Sequence, residues 1–242
     1  MQHREPIFNV PSVVLGLLGV FIAVHVGRQI LPIEDNTWLL LAMAFIPARY
    51  AGMAPNLPGG EFASVTSVVT HMFVHADVVH LAINSAWLLA FGSVLSARMG
   101  AARFLSFALF GGMAGALLFC LMHPGLVAPV IGASGAIAAM MGGVLRFLFV
   151  AIDRKQGYLL RAAPNDIPRM SLSTALTDRR ILSAAAIFVG INVLAIYGFG
   201  SMGSAGAIAW EAHLGGFFFG LLAFALFDTA AQNTSPSSTK VE

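Results

Sequence analysis

Residues 132–152 read Gly-Ala-Ser-Gly-Ala-Ile-Ala-Ala-Met-Met-Gly-Gly-Val-Leu-Arg-Phe-Leu-Phe-Val-Ala-Ile, an apolar run with a serine set between glycines at its start. A bilayer core of about 30 Å takes roughly 20 helical residues to cross, so this run is long enough to span it. Segments 11–31, 78–95, 103–122, 181–199 and 208–227 meet the same criterion. The predicted fold is an all-α membrane protein with six transmembrane helices, occupying residues 11–228. Between the first two spans lies a long outer loop, 32–70, whose apolar part at 38–46 is too short to cross and ends at Pro47. Short interfacial helices are expected there.

Composition agrees with this reading. Hydrophobic residues make up 58% of the chain and charged residues 10%, with mean hydropathy +0.83. Such a chain lacks the charged surface of a soluble domain. The 13 basic and 11 acidic residues nearly balance, and the basic ones gather in one loop rather than in a stripe that could follow phosphates, which argues against nucleic acid as a partner. The single cysteine, Cys120, lies in an apolar run, so neither an intramolecular disulfide nor a cysteine-based metal or redox site is expected. His3 and Arg4 precede the first apolar stretch as in a secretory signal. Glu5, the length of the stretch and the missing Ala-x-Ala pattern favour a membrane helix instead.

Lysine and arginine accumulate in cytoplasmic loops. Arg154, Lys155, Arg161, Arg169, Arg179 and Arg180 follow the fourth span, and Arg98 and Arg103 flank the loop after the second. Loop 153–180 is therefore expected in the cytoplasm, together with residues 1–10 and a disordered tail at 229–242. The second, fourth and sixth spans then begin on the outer side, each with polar residues in its first turns.

Polar side chains inside a membrane are expensive and invite a functional explanation, or else they join helices. His80 and Asn84 are four residues apart, on one helical face, and both can donate hydrogen bonds to a developing oxyanion. An interhelical hydrogen-bonding role fits the pair as well. His71 and His75 share that spacing, but no Glu follows His71 as His-Glu-x-x-His requires, so a structural role is expected and no metal site is predicted.

Gly132-Ala-Ser134-Gly135 offers a hydroxyl with small neighbours and free N–H groups at a helix start. Gly135, Ala139 and Gly143 equally form a small-residue packing stripe. His213 shares a helical face with Gly216 and Gly220, which allows a close approach to that stripe and brings an imidazole beside Ser134. Glu211 points elsewhere on the helix and Asp77 lies at the second span's outer end, so the expected unit is a Ser134–His213 dyad.

His80-x-x-x-Asn84, Gly132-x-Ser134-Gly135 and Ala212-His213-x-x-Gly216-x-x-x-Gly220, in this order on six helices after a long first loop, resemble the rhomboid family of intramembrane serine proteases. The resemblance implies that Ser134 attacks the scissile carbonyl and His213 moves the proton. His80, Asn84 and the Ser134 N–H would hold the oxyanion, with no metal or other cofactor. It also implies single-pass membrane proteins as substrates, membrane lipid as surroundings, and a place in the cell membrane, the inner membrane if bacterial. A non-catalytic rhomboid-like protein that binds membrane helices is the alternative. The chain departs from many members at Thr66 and Ser67, where a Trp-Arg pair is usual, and at Ala138, where an aromatic ring would stack on the histidine. A different anchoring of the first loop is expected, and Ala138 leaves the orientation of the His213 ring open.

Overall fold

A computed structural model describes residues 10–199 and 209–229. The expected N-terminal segment 1–10 lies almost wholly outside the described residues, as does the tail expected at 229–242. Helix α1 (Ser12–Gln29) is followed by two helices within the long loop, α2 (Ile33–Met43) and α3 (Gly60–Thr70). Then come α4 (Val78–Trp87), α5 (Ser93–Met99), α6 (Ala101–Met122), α7 (Ser134–Asp153), the short α8 (Leu159–Ala162) and α9 (Leu172–Thr177), α10 (Arg179–Phe199) and α11 (Trp210–Phe227). A single π-turn at Leu88–Gly92 joins α4 to α5, making one crossing helix over Val78–Met99, longer than the expected 78–95. Among the described residues there is no β-strand, only an isolated antiparallel bridge between Phe45 and Val130.

Five helices among the described residues are long and apolar enough to cross a membrane: α1, the joined α4–α5, α6, α7 and α11. The other expected span falls on α10, whose side chains are described only as far as Leu194. The protein is a multi-pass, all-α membrane bundle.

Helix α7 is the hub. Of its apolar window 78% is buried, against 22% for α1 and for the α4–α5 helix. Small residues permit this. A Cβ on Gly216 would strike the Gly135 carbonyl, one on Gly220 the Ala139 carbonyl, and one on Gly142 the Phe217 carbonyl, so α7 and α11 touch backbone to backbone. Gly111 and Gly115 bring α6 equally close, to Ala139 and to the Ala212 carbonyl. Close backbone contact of this kind replaces the hydrophobic driving force that helices lack inside lipid. Below the contact, Phe107, Phe147, Phe217 and Phe224 fill the core.

The first loop is tied down by Arg49, whose Nη2 donates to the carbonyls of Leu41 and Pro58 at 2.8 Å each. Tyr50 Oη donates to Ser64 O at 2.8 Å and Thr70 Oγ1 to Met43 O at 2.9 Å. These bonds anchor a loop in which Thr66 and Ser67 stand in place of a Trp-Arg pair.

Loop 153–180 is a folded cap on the end of the bundle away from Ser134. Arg98 Nε and Nη2 hold Asp228 in a two-point pair at 2.9 and 3.0 Å, and Nη1 donates to the carbonyls of Pro164 and Ile167. Arg146 joins Leu221 O at 2.7 Å to Met170 O at 2.8 Å. Arg98, expected to flank a loop, and Arg146, inside the fourth span, are thus buried clasps, because a planar guanidinium can satisfy several carbonyls at once.

Candidate active site

The site is assembled at the starts of α7, α4 and α11. Gly132, at φ +103°, turns the chain into α7, and its N–H donates to His71 O at 2.9 Å. Ala133 is the N-cap, and its carbonyl accepts from Ile137 N at 2.9 Å. The N–H groups of the first turn, Ser134 included, precede any intrahelical partner and remain available as donors.

Ser134 Oγ lies 2.8 Å from His213 Nε2. Seventy-nine residues separate the two in sequence. The α7–α11 backbone contact at Gly216 and Gly220 brings them together. The other ring nitrogen, His213 Nδ1, lies 2.6 Å from Asn192 Oδ1 of α10. The expected dyad has no third member, and none of the sequence motifs includes Asn192. Its signal was available, since it is a carboxamide inside an apolar span, 6% exposed.

His80 and Asn84 point at the turn before Ser134. A Cβ placed on Gly132 would sit 2.6 Å from His80 Nε2 and 3.8 Å from Asn84 Nδ2. Asp77 caps α4, accepting from His80 N at 2.8 Å. Ala76 N donates to His80 Nδ1 at 3.4 Å, which leaves the ring proton on Nε2, the nitrogen that faces the site. One Asn84 N–H goes to His80 O at 2.9 Å, and a carboxamide has a second. Two neutral donors therefore converge beside the serine.

His71 and His75 serve the surroundings. His71 is buried and its Nδ1 donates to Ser67 O at 2.8 Å. His75 is fully buried between Phe21 and His80, with ring centroids at 5.1 Å to each. Burial pushes both imidazoles down to about 4, and they stay neutral. Among the described residues no group of three His, Cys, Asp or Glu side chains converges as a metal site would need. Glu211, two residues from His213, turns away to meet His123 Nε2 at 2.6 Å.

Comparison with known proteins matches this arrangement to one family. The sequence model of the Rhomboid domain matches residues 63–228, a stretch that holds His80, Asn84, Ser134, Asn192 and His213. The chain is 36% identical over 136 residues to "Rhomboid protein 1, mitochondrial" of Saccharomyces cerevisiae, covering 54% of this chain and 35% of that protein. It is 35% identical over 111 residues to "Rhomboid-like protease 3" of Toxoplasma gondii, covering 46% of this chain and 37% of that protein. The matched part thus spans a little over a third of each of these relatives.

Proposed function

Because this chain belongs to the rhomboid family, we propose that it is an intramembrane serine endopeptidase working through Ser134 and His213. The observation that carries the reading is the 2.8 Å contact between Ser134 Oγ and His213 Nε2, beside two neutral donors and a free helix N-terminus.

In this mechanism the substrate carbonyl carbon approaches Ser134 over Gly132, where the missing side chain leaves room. His213 Nε2 takes the hydroxyl proton as Oγ attacks. The developing oxyanion is held by His80 Nε2–H, Asn84 Nδ2–H and the Ser134 N–H, donors fixed before the reaction begins. His213 then gives its proton to the leaving amine. A water, deprotonated by the same nitrogen, adds to the acyl carbon, and His213 returns the proton to Ser134 Oγ as the C–Oγ bond breaks and the acid product leaves. No metal or other cofactor takes part in this scheme.

The substrates proposed are single-pass membrane proteins cut near the outer end of their helix. A peptide bond inside an intact helix is already hydrogen-bonded, so a segment that unwinds at the membrane edge meets the site more readily. With the arginine-rich cap on the cytoplasmic side by the positive-inside rule, Ser134 lies toward the outer face of the cell membrane and six helices place both termini inside.

The test uses the full chain in liposomes with a model single-pass substrate. Wild-type protein is expected to cleave it and to be labelled by a fluorophosphonate at Ser134, and Ser134→Ala and His213→Ala to do neither. Cleavage surviving in either variant would remove the dyad. A folded wild type that binds the helix, yet neither cuts nor takes the label, would establish the non-catalytic helix-binding role instead.

A further inference from the structure

We propose that Asn192 is the positioning residue that fixes the tautomer and ring plane of His213, so that Nε2 is the nitrogen that accepts the Ser134 proton. The inference rests on the Ser134–His213 reading above.

It follows from a chain of hydrogen bonds that begins at a main-chain carbonyl. Phe188 O can only accept, and Asn192 Nδ2 donates to it at 2.8 Å. That fixes which way the carboxamide faces and turns Oδ1 toward His213, at 2.6 Å from Nδ1. Oδ1 also can only accept, so Nδ1 must carry the ring proton. The lone pair of the neutral imidazole is then on Nε2, which faces Ser134 Oγ at 2.8 Å. A carboxamide free to rotate could present its NH2 group and select the opposite, inactive tautomer. The Phe188 carbonyl opposes that rotation.

Packing sets the register. Phe188 and Asn192 are one turn apart on α10, as are His213 and Phe217 on α11. The Phe188 and Phe217 rings stack with centroids 4.9 Å apart and planes 25° apart, and the next turn brings Asn192 level with His213. One turn beyond Ser134 on α7 stands Ala138, which has no ring to lay against the imidazole. An edge-on hydrogen bond from α10 therefore restrains the ring. A neutral amide can do this within an apolar bundle without introducing a second buried charge.

Full-length wild type, Asn192→Leu, which has similar volume and no acceptor, and Asn192→Asp, which keeps the acceptor, would be compared at equal folded fraction, checked by thermal unfolding. For Asn192→Leu, kcat is expected to fall about 10- to 100-fold with KM within about twofold, and fluorophosphonate labelling of Ser134 to slow by the same factor. Asn192→Asp is expected to recover most of that loss as the neutral acid, whose O–H can donate to Phe188 O while its other oxygen accepts from His213 Nδ1. An Asn192→Leu protein with kcat and labelling within about twofold of wild type would overturn the inference. So would an Asn192→Asp protein that is folded, yet as slow as Asn192→Leu. Ser134→Ala in the same assay separates the two levels. If it still cleaves, the Ser134–His213 reading fails and this inference fails with it; if it is inactive while Asn192→Leu is unimpaired, only the role of Asn192 is lost.

Discussion

Gly132 passes so close beneath His80 that a Cβ on it would stand 2.6 Å from the imidazole Nε2. The donor nitrogen and the turn that presents Ser134 thus share one small space. A side chain at residue 132 would compete with the substrate oxygen for it.

Gly132→Ala should therefore act on chemistry. The residue sits at φ +103°, where an L side chain is strained, and the added methyl would push His80 off its line. Loss of one oxyanion donor lowers kcat by about 100-fold or more. Cleavage kinetics on the purified variant, with circular dichroism as the folding control, would show it. Unchanged kcat would mean that His80 does not serve the oxyanion.

Gly220→Val should act on folding. Its side chain would enter the Ala139 backbone carbonyl, which cannot swing aside as a side chain can. Overpacking typically costs about 1–3 kcal/mol, and a backbone obstacle lies at the upper end of that range. A fall of several degrees in Tm in detergent is the expected result. The same substitution at Gly19 on α1, where an added Cβ meets nothing within 4 Å, should leave Tm almost unchanged.

Removing the buried Asp228 carboxylate should loosen the cap. Asp228→Ala leaves Arg98 buried without its anion, a loss of roughly 3–5 kcal/mol for a buried pair. Limited proteolysis within 153–180 should accelerate. Replacing both partners by apolar residues, Arg98→Met with Asp228→Leu, should destabilise less than Asp228→Ala alone, since the buried Arg98 charge is removed with its partner, while Arg169, 3.4 Å from Asp228 Oδ2, is part-exposed and can turn to water. Equal effects would show that the cost does not come from leaving Arg98 buried without its anion.

Stability should decline on acidification through two histidines outside the spans. Burial lowers His71 and His75 to about 4 in the folded protein, while the unfolded chain takes up protons at the ordinary histidine value of about 6.5. The unfolded state therefore binds more protons below that value. The contribution is fully present above about pH 6.5 and is lost progressively as pH falls toward 4. Tm measured in detergent across this window should drop with acid, and His71→Gln should flatten part of the slope. A slope unaltered in both His71→Gln and His75→Gln would assign the acid sensitivity elsewhere.

Much of the site was legible because a bilayer makes polar residues conspicuous. His80, Asn84, Ser134 and His213 interrupt apolar helices at matching ends, and glycines at 135, 216 and 220 announce the backbone contact that joins α7 to α11. Arg98 and Arg146 were less legible. Arg98 looks like the flank of a loop and nothing next to Arg146 signals its partners, because both reach across the bundle to groups more than twenty residues away in sequence. Asn192 stands out as a carboxamide in an apolar span, but nothing local ties it to His213, because the hydrogen bond between them closes from one helix to another.

By itself the sequence determined the helical membrane class, the approximate spans and the residues able to do chemistry. Length and hydropathy are local quantities that lipid reads directly. Only the tertiary structure decided which nitrogen of His213 faces Ser134, which carboxamide holds the other, and what the arginines of the cap bind. Those outcomes depend on the relative register of helices, which is set where backbones touch and hydrogen bonds close between distant parts of the chain.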